Sequence, residues 1–449
     1  MTTPARPRLR VGVDAVTARA VAVDERNRIV SSHRGRPGDS PGRLHDALIA
    51  GGLDTAAIDR VVAILPEPTV ADVIAGSRVG VLRIGAPAAT ALPPLAGWPV
   101  RLSAALAGPV AMVRGGHEYD GRASAPLDLA AVAGFARRCA GNVGAVAVAG
   151  IHGLENPEHE QRAAAVIADE LGPDAPVIQG GATEALGLLE REHTAVLDAA
   201  LVATARARIG ELGTAVRARN PGVELYVVRG DGTVLPALDA LRRATAATGA
   251  ARAALIHGAA RLAGLTSATV VEVSADRAIV GATHAGLLPE SGLRREIGGV
   301  RTGLRTPSTT TVHRDDAFPS RLLAALARAR HGFDEMPVVI VGERADVLPD
   351  PPDVPVVRPP DGDLAAAVGA ATAEAAGSID RIFWQGSGGR ADSVARARRL
   401  ARDAAVRAGA DPRALRETPV TEALMTYVPV PAARLRVTAV GPLLEPVSP

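Results

Sequence analysis

Two stretches of this 449-residue chain run along β-branched residues to an acid and then turn back. In "VDAVTARAVAV" (13–23) the acid is Asp14, with Thr17 and Arg19 behind it. In "VEVSADRAIVG" (271–281) it is Glu272, with Ser274, Asp276 and Arg277 behind it. The two superpose without gaps, acid on acid and Arg-Ala on Arg-Ala. Turn amides and hydroxyls at such a site gather the oxygens of a phosphate, while the acid holds a metal ion or positions a water. Asp14 and Glu272 are the candidates for the acid's role, and Thr17, Ser274 and Arg277 for holding the anion. A second reading stays open at each acid, a capped turn with no ligand. The repeat is either a duplicated domain with one hairpin per copy or a chance likeness between two Ala- and Val-rich hairpins.

Other candidates carry a paired reading too. "GDGT" (230–233) offers Asp231, Gly232 and Thr233, either to a ligand through the backbone or as a plain hairpin turn. In "IGGVRT" (297–302), Gly298 and Gly299 either line a cleft with Arg301 as anion partner or mark a close backbone crossing. His152 and His159 with Glu155, Glu158 and Glu160 have the number for a metal site, but Pro157 starts a helix between them, and no metal is expected. In "GHEYDGR" (116–122), Tyr119 and Arg122 anchor a turn, and "EREH" (190–193) reads as a salt-bridged solvated face. Cys139 lies beside Arg137 and Arg138 with no placed base, so a nucleophile is not expected. No Ser-His-Asp ordering emerges.

The elements that must position these residues alternate between strand and helix. "LRVGVDAV" and "RAVAVDE" read as paired strands, and "IDRVVAILP", "RVGVLRIG", "VGAVAVAG" and "APVIQG" as further strands. Helices are predicted at "SPGRLHDALIAGGL", "LDLAAVAGFARRCA" and "NPEHEQRAAAVIADELG", the last with Asn156 as cap. A long helix covers 188–219, another 239–264, and more follow at "FPSRLLAALARARHG", "LAAAVGAATAEAAG" and "SVARARRLARDAAVRAGADP". "VELYVVRGDGTVLP", "MPVVIVGERADVLP" and "ARLRVTAVG" add strands, and the Pro-rich 349–363 is a surface loop. Repeated βα alternation indicates an α/β fold.

Composition removes several classes. Lys+Arg number 50 and Asp+Glu 48, so charge gives no basis for nucleic-acid binding. Aromatic residues are 2% of the chain, which removes the stacking platforms of single-strand binders. One cysteine excludes a disulfide framework and fits a reducing cytoplasm. "MTTPARPRLR" lacks an apolar continuation, so no signal peptide is expected, and no run of about 18 apolar residues predicts a membrane span.

Read in order, "GGHEYDGRASAPLD" (115–128), "NPEHEQRAA" (156–164), "ALGLLEREHTAVLDAAL" (185–201), "GDGTVL" (230–235) and "EIGGVRTGLRTP" (296–307) resemble the hydantoinase/oxoprolinase family, A-type subunit. "AAVRAGADP" (404–412) and "YVPVPAARLRVTAVG" (427–441) resemble the C-terminal end of its shorter members, so the likeness runs from about 10 to 442. It implies an α/β, actin-like ATPase (ribonuclease H-like) fold with two lobes around a central cleft. It implies an N-terminal-like domain over 9–190, a second domain over 191–376, and a helix and strand segment over 377–444 that completes the second lobe. It further implies ATP with a divalent metal as cofactor if the family activity is retained. That activity is ring opening of hydantoin- or 5-oxoproline-type cyclic amides, or in some relatives carboxylation. A B-type subunit, or a homo-oligomer, is the implied partner. Nothing in the sequence gives the substrate.

The departures fall on the nucleotide path. The resemblance calls for a Gly-Gly-Thr turn after the first acid, and Ala15-Val16-Thr17-Ala18 stands there. It calls for Asp and Gly-Gly-Thr-Thr-Thr-Asp at the second, and Glu272 to Arg277 read Glu-Val-Ser-Ala-Asp-Arg. A Gly-Thr-Thr segment has become "LPEPTVAD" (65–72), and the Gly-rich adenosine loop is Gly342-Glu343-Arg344. Glycine lets successive amides converge on one anion without Cβ interference, and these turns have lost it. A negative charge such as Asp276 about 4 Å from a phosphate costs about 4 kcal/mol at an effective dielectric near 20. The sequence therefore predicts weakened or lost ATP binding. The alternative to a hydrolase is a non-catalytic scaffold or regulator that pairs with a B-type subunit or an active paralogue.

Overall fold

The computed structural model describes residues 8–445 except 184, 292–294, 333–334, 352–353, 386–388 and 427–430. Parts of the Pro-rich loop and of the "YVPVPAARLRVTAVG" stretch thus lie outside the described residues. Three large sheets organise the chain. The first begins as the hairpin of strands Leu9–Asp14 and Arg19–Val23, with Ile29–Arg34 antiparallel outside it and Ile58–Ile64 and Glu224–Val228 parallel inside it. The second begins as the hairpin of strands Ala268–Val273 and Arg277–Thr283, with Thr309–His313 antiparallel outside and Val338–Val341 and Val356–Val357 parallel inside. Five strands in the same order and sense occur twice, so the sequence repeat has a structural counterpart. Both hairpins are buried through runs of Val, Ile and Ala, as inner strands covered on two faces require.

The repeat is not in perfect register. Asp14 pairs with Arg19, whereas Val273, one residue beyond the second acid, still pairs with Ala278. The second bend therefore falls one residue later than the ungapped superposition predicts. Relative to the neighbouring parallel strands the acids do correspond, for Asp14 faces Ile64 and Glu272 faces Val341 at the ends of their ladders.

A third sheet, wholly parallel, is inserted between Ile58–Ile64 and Glu224–Val228 and consists of Ala107–Arg114, Val79–Ala86, Ala145–Gly150 and Val177–Gln179. The 32-residue helix Leu188–Arg219, roughly 48 Å long at the helical rise, joins it to the first sheet. Its first half packs Ala195 to Val202 on the inserted sheet, and its second half packs Ala205, Ile209 and Val216 on the first. This position overturns the solvated reading of "EREH". Arg191 and Glu192 are buried, Arg191 pairs with Glu160 at 3.3 Å, and Arg83 grips Glu192 through two bonds of 2.6 and 2.7 Å. The helix lies in a seam with protein on all sides of its first turns, so its charges satisfy one another across the seam.

Helices Ala250–Leu262 and Ala365–Ala371 stand back to back between the two repeated sheets. Their backbones touch: a Cβ on Gly258 would lie 1.7 Å from the Ala365 carbonyl oxygen, and one on Gly369 would lie 1.9 Å from that of Ala254. Gly12 of the first hairpin meets the same crossing, 2.0 Å from the Ala367 oxygen by the same construction. The back of each hairpin thus rests on one helix of the pair.

Two predicted helices are corrected. The 239–264 helix is three pieces, Ala237–Ala240, Ala244–Ala247 and Ala250–Leu262, because Gly249 takes φ +85° and Thr245 is drawn to Asp198. The helix at "LAAAVGAATAEAAG" ends at Ala371, and strand Ala375–Trp384 follows, paired along its whole length with Ala432–Gly441. Alanine favours helix, and pairing with Ala432–Gly441 overrides that preference from Ala375 onward.

Candidate nucleotide cleft

The first turn closes on its own acid. Asp14 is fully buried, and its carboxylate accepts the Val16 amide at 2.9 Å, the Thr17 amide at 3.3 Å and the Thr17 hydroxyl. Burial raises the Asp14 carboxyl above its usual range while these three donors and Arg19 oppose the shift. The Ala15 amide is engaged as well, by the Ile64 carbonyl at 3.1 Å. Each amide has one hydrogen, and three consecutive ones are spent within the protein. The turn is held by internal bonds, with Ala18 in the left-handed region at φ +56° and Val16 projecting into solvent.

The second turn is open and acidic. The Ser274 amide donates to the Arg277 carbonyl at 3.0 Å, and the Ser274 hydroxyl lies 3.1 Å from an Asp276 carboxylate oxygen. Arg277 pairs loosely with Asp276 at 3.8 Å. Glu272 is half-buried, and burial raises its carboxyl; Glu343 and Asp276 push the same way, against Arg277. Gly342 is required by the path of the backbone. At φ +101° it lets the chain pass the second hairpin, where a Cβ would lie 2.6 Å from the Val273 oxygen. The Arg344 amide then donates to that oxygen at 3.1 Å.

A segment without any motif in the sequence joins the two turns. Arg34, from the strand outside the first hairpin, binds Asp361 at 2.9 Å and Asp363 at 2.7 Å, and Arg19 reaches Asp363 at 3.5 Å. Gly362 between these acids packs on Val341, the strand end beside Glu272. The 361–363 turn therefore bridges the two hairpins. Its one sequence signal is Asp-Gly-Asp ahead of an apolar helix.

The remaining candidates belong elsewhere. Asp231 accepts the Thr233 amide at 3.0 Å and hydroxyl at 2.6 Å and pairs with Arg229 at 3.1 Å. Burial opposes its ionisation, but Arg229 and Thr233 outweigh burial and hold the carboxyl below its usual range. Gly232 packs on His257, so "GDGT" is a hairpin turn seated on helix Ala250–Leu262. Asp231 and Thr233 line a cavity of about 410 Å³ together with Leu287, Pro289 and Thr438, not with the phosphate-type turns. Gly298 and Gly299 form the bend between strands Glu296–Ile297 and Val300–Arg301 and rest on Val70, Leu102 and Pro99. The Arg301 side chain is exposed, and its carbonyl meets His193 at 3.0 Å.

The other weighed residues are structural. Tyr119 stacks on Trp384 at 4.1 Å, and Arg122 holds Asp120 at 2.7 Å. The Asn156 side chain accepts the Glu158 amide at 3.0 Å, with the helix beginning at Glu158. Cys139 is buried, which pushes its thiol up to about 11. Among the described residues, no group of three or more His, Cys, Asp or Glu is arranged to hold a metal ion, and no helix is long and apolar enough to cross a membrane.

Comparison with known proteins agrees with this architecture. Residues 69–171 match the hydantoinase/oxoprolinase N-terminal region. No match is found among curated proteins. Among solved structures, an ATP-dependent caprolactamase from Pseudomonas jessenii superposes with a TM-score of 0.67 at 15% identity, over 98% of this chain and 89% of that one. A nucleotide-free acetone carboxylase superposes with a TM-score of 0.63 at 11% identity, over 99% and 89%. The fold is thus of the actin-like ATPase type expected from the repeat. The fold and the matched region together support a place for this chain beside the hydantoinase/oxoprolinase proteins, with the family match itself confined to residues 69–171.

Proposed function

We propose that this chain keeps the scaffold of an ATP-dependent cyclic-amide hydrolase but has lost tight nucleotide binding, and that it serves as the structural or regulatory partner of a B-type subunit or an active paralogue. One observation carries the reading. The amides of residues 15 to 17, where the resemblance calls for a phosphate-holding turn, already donate to Asp14 and Ile64. A phosphate entering the turn would have to break the capped turn and expose a buried carboxylate to a second anion. At the second turn the carboxylates of Glu272, Asp276 and Glu343 gather, and a phosphate there would meet like charge. Pull-down of the tagged chain from its native host tests the partner half: a B-type subunit or related A-type chain is expected, and a clean monomer from the same lysate contradicts it.

The retention of Asp14 at the strand end favours a second reading, an ATP-dependent ring-opening enzyme with unusual turns. It requires ATP to displace the Asp14 cap. Turnover of hydantoin or 5-oxoproline with ATP by the purified chain and its partner separates the two; the first reading expects none from this chain's own cleft.

A further inference from the structure

Loop 115–128 closes on two buried histidines. His117 and His159 are 2% and 4% exposed, and their rings stack with centroids 4.2 Å apart. The Gly116 amide donates to Nδ1 of His159 at 3.0 Å, so that nitrogen carries no proton. Among the described residues, Nε2 of His117 is buried without a hydrogen-bond partner. The same loop makes a joint. Tyr119 stacks on Trp384, and the Trp384 indole donates to the Tyr119 carbonyl at 2.8 Å. Helix Glu158–Leu171, which packs on the inserted sheet, is thereby tied to strand Ala375–Trp384 of the first sheet. We infer that the stacked histidine pair is an acid-sensitive latch: a proton gained by either ring opens the loop and lifts Tyr119 from Trp384.

The geometry holds the pair neutral. A proton on Nδ1 of His159 would face the Gly116 hydrogen and turn a bond into a repulsion. A proton on His117 would leave a buried cation against the neighbouring ring. Burial, then His159 and His152, lower the His117 ring below the usual histidine range, and burial and Arg162 do so for His159; Glu158 opposes the shift at both. Two other acids on these segments are committed elsewhere. Glu155 pairs with His152 at 3.7 Å, and Glu160 accepts the Gly150 and Gly181 amides at 2.8 Å each and pairs with Arg191. The closed loop is therefore fully populated above the ordinary value of 6.5 and is lost as pH falls through the lowered folded values. The loop is built to move as a unit. The Glu118 amide bonds the Arg122 carbonyl at 2.7 Å, and Gly115 and Gly116 enter it at φ +139° and +96°, a pivot other residues would resist.

Trp384 itself reports the latch. The chain has two tryptophans, so Trp98→Phe leaves a single emitter at the joint. Its emission, acrylamide quenching and far-UV circular dichroism are followed from about pH 7.5 to about pH 5. A reversible red shift with increased quenching is expected below pH 6.5, with circular dichroism unchanged. Adding His117→Phe and His159→Gln keeps a ring in the stack and an oxygen for the Gly116 hydrogen but removes both titrating groups, and should abolish the shift. Ring-proton NMR of the parent chain gives a second reading that needs no histidine variant: two histidines should titrate below 6.5 over the same pH range as the shift. No shift down to about pH 5, a shift that persists in the folded histidine variant, or a shift that coincides with loss of circular dichroism would each overturn the latch.

Discussion

The two hairpins share strand order, pairing sense and a seat on the central helix pair, yet their turns have parted ways. The first has drawn its acid inside and uses it to cap the bend, with Asp14 fully buried behind three donors. The second leaves Glu272 half-buried near Asp276 and Glu343, its bend one residue further on. One has become a sealed structural turn and the other an acidic surface turn. On the function proposed above, both turns would accommodate a triphosphate poorly, each by a different route, while the fold behind them persists. The helix pair seats the strands, while on the proposed reading anion binding would depend on the turn residues in front.

The comparison breaks first where the hairpins are seated. Gly12 and Val270 occupy matching positions, but only Gly12 lies where a Cβ would strike the Ala367 oxygen. Gly12→Val, which copies the second hairpin into the first, should cost more than about 4 kcal/mol and yield insoluble protein, read by soluble expression. Next is Asp14→Ala. It leaves the Val16 and Thr17 amides without their acceptor and should destabilise by about 2–4 kcal/mol in urea unfolding, whereas Glu272→Ala should stay within about 1 kcal/mol. Equal losses at the two acids would erase the distinction between sealed and open turns.

A pH series sharpens it further. The Glu272 carboxyl is raised above its ordinary 4.5 by burial and by Glu343 and Asp276, so the folded chain keeps this proton to higher pH than the unfolded chain. Its contribution is full below pH 4.5 and is lost as pH rises through the folded value. Glu272→Gln should therefore gain stability relative to the parent chain between pH 4.5 and neutrality, by less than the Asp14→Ala loss. The smallest effect is at the bridge: Arg34→Ala removes exposed pairs to Asp361 and Asp363 and should cost about 0.5–1 kcal/mol, less in high salt.

Much of this was legible in the sequence because it depends on local pattern. Acid-ended β-branched runs marked both hairpins. What was not legible depends on partners far along the chain. "EREH" has the charge pattern of a wet helix face, and only the seam between two sheets makes it a buried network with Arg83 and Glu160. Strand Ala375–Trp384 is Ala-rich at its start and becomes a strand through its pairing with Ala432–Gly441.

The most direct test of the central claim is calorimetric titration of the purified chain with ATP and magnesium at neutral pH. Three engaged amides and an acidic opposing turn predict no saturable heat up to about 1 mM nucleotide. Micromolar binding that Thr17→Val and Ser274→Ala each weaken would contradict the account, because those turns would then still hold phosphate.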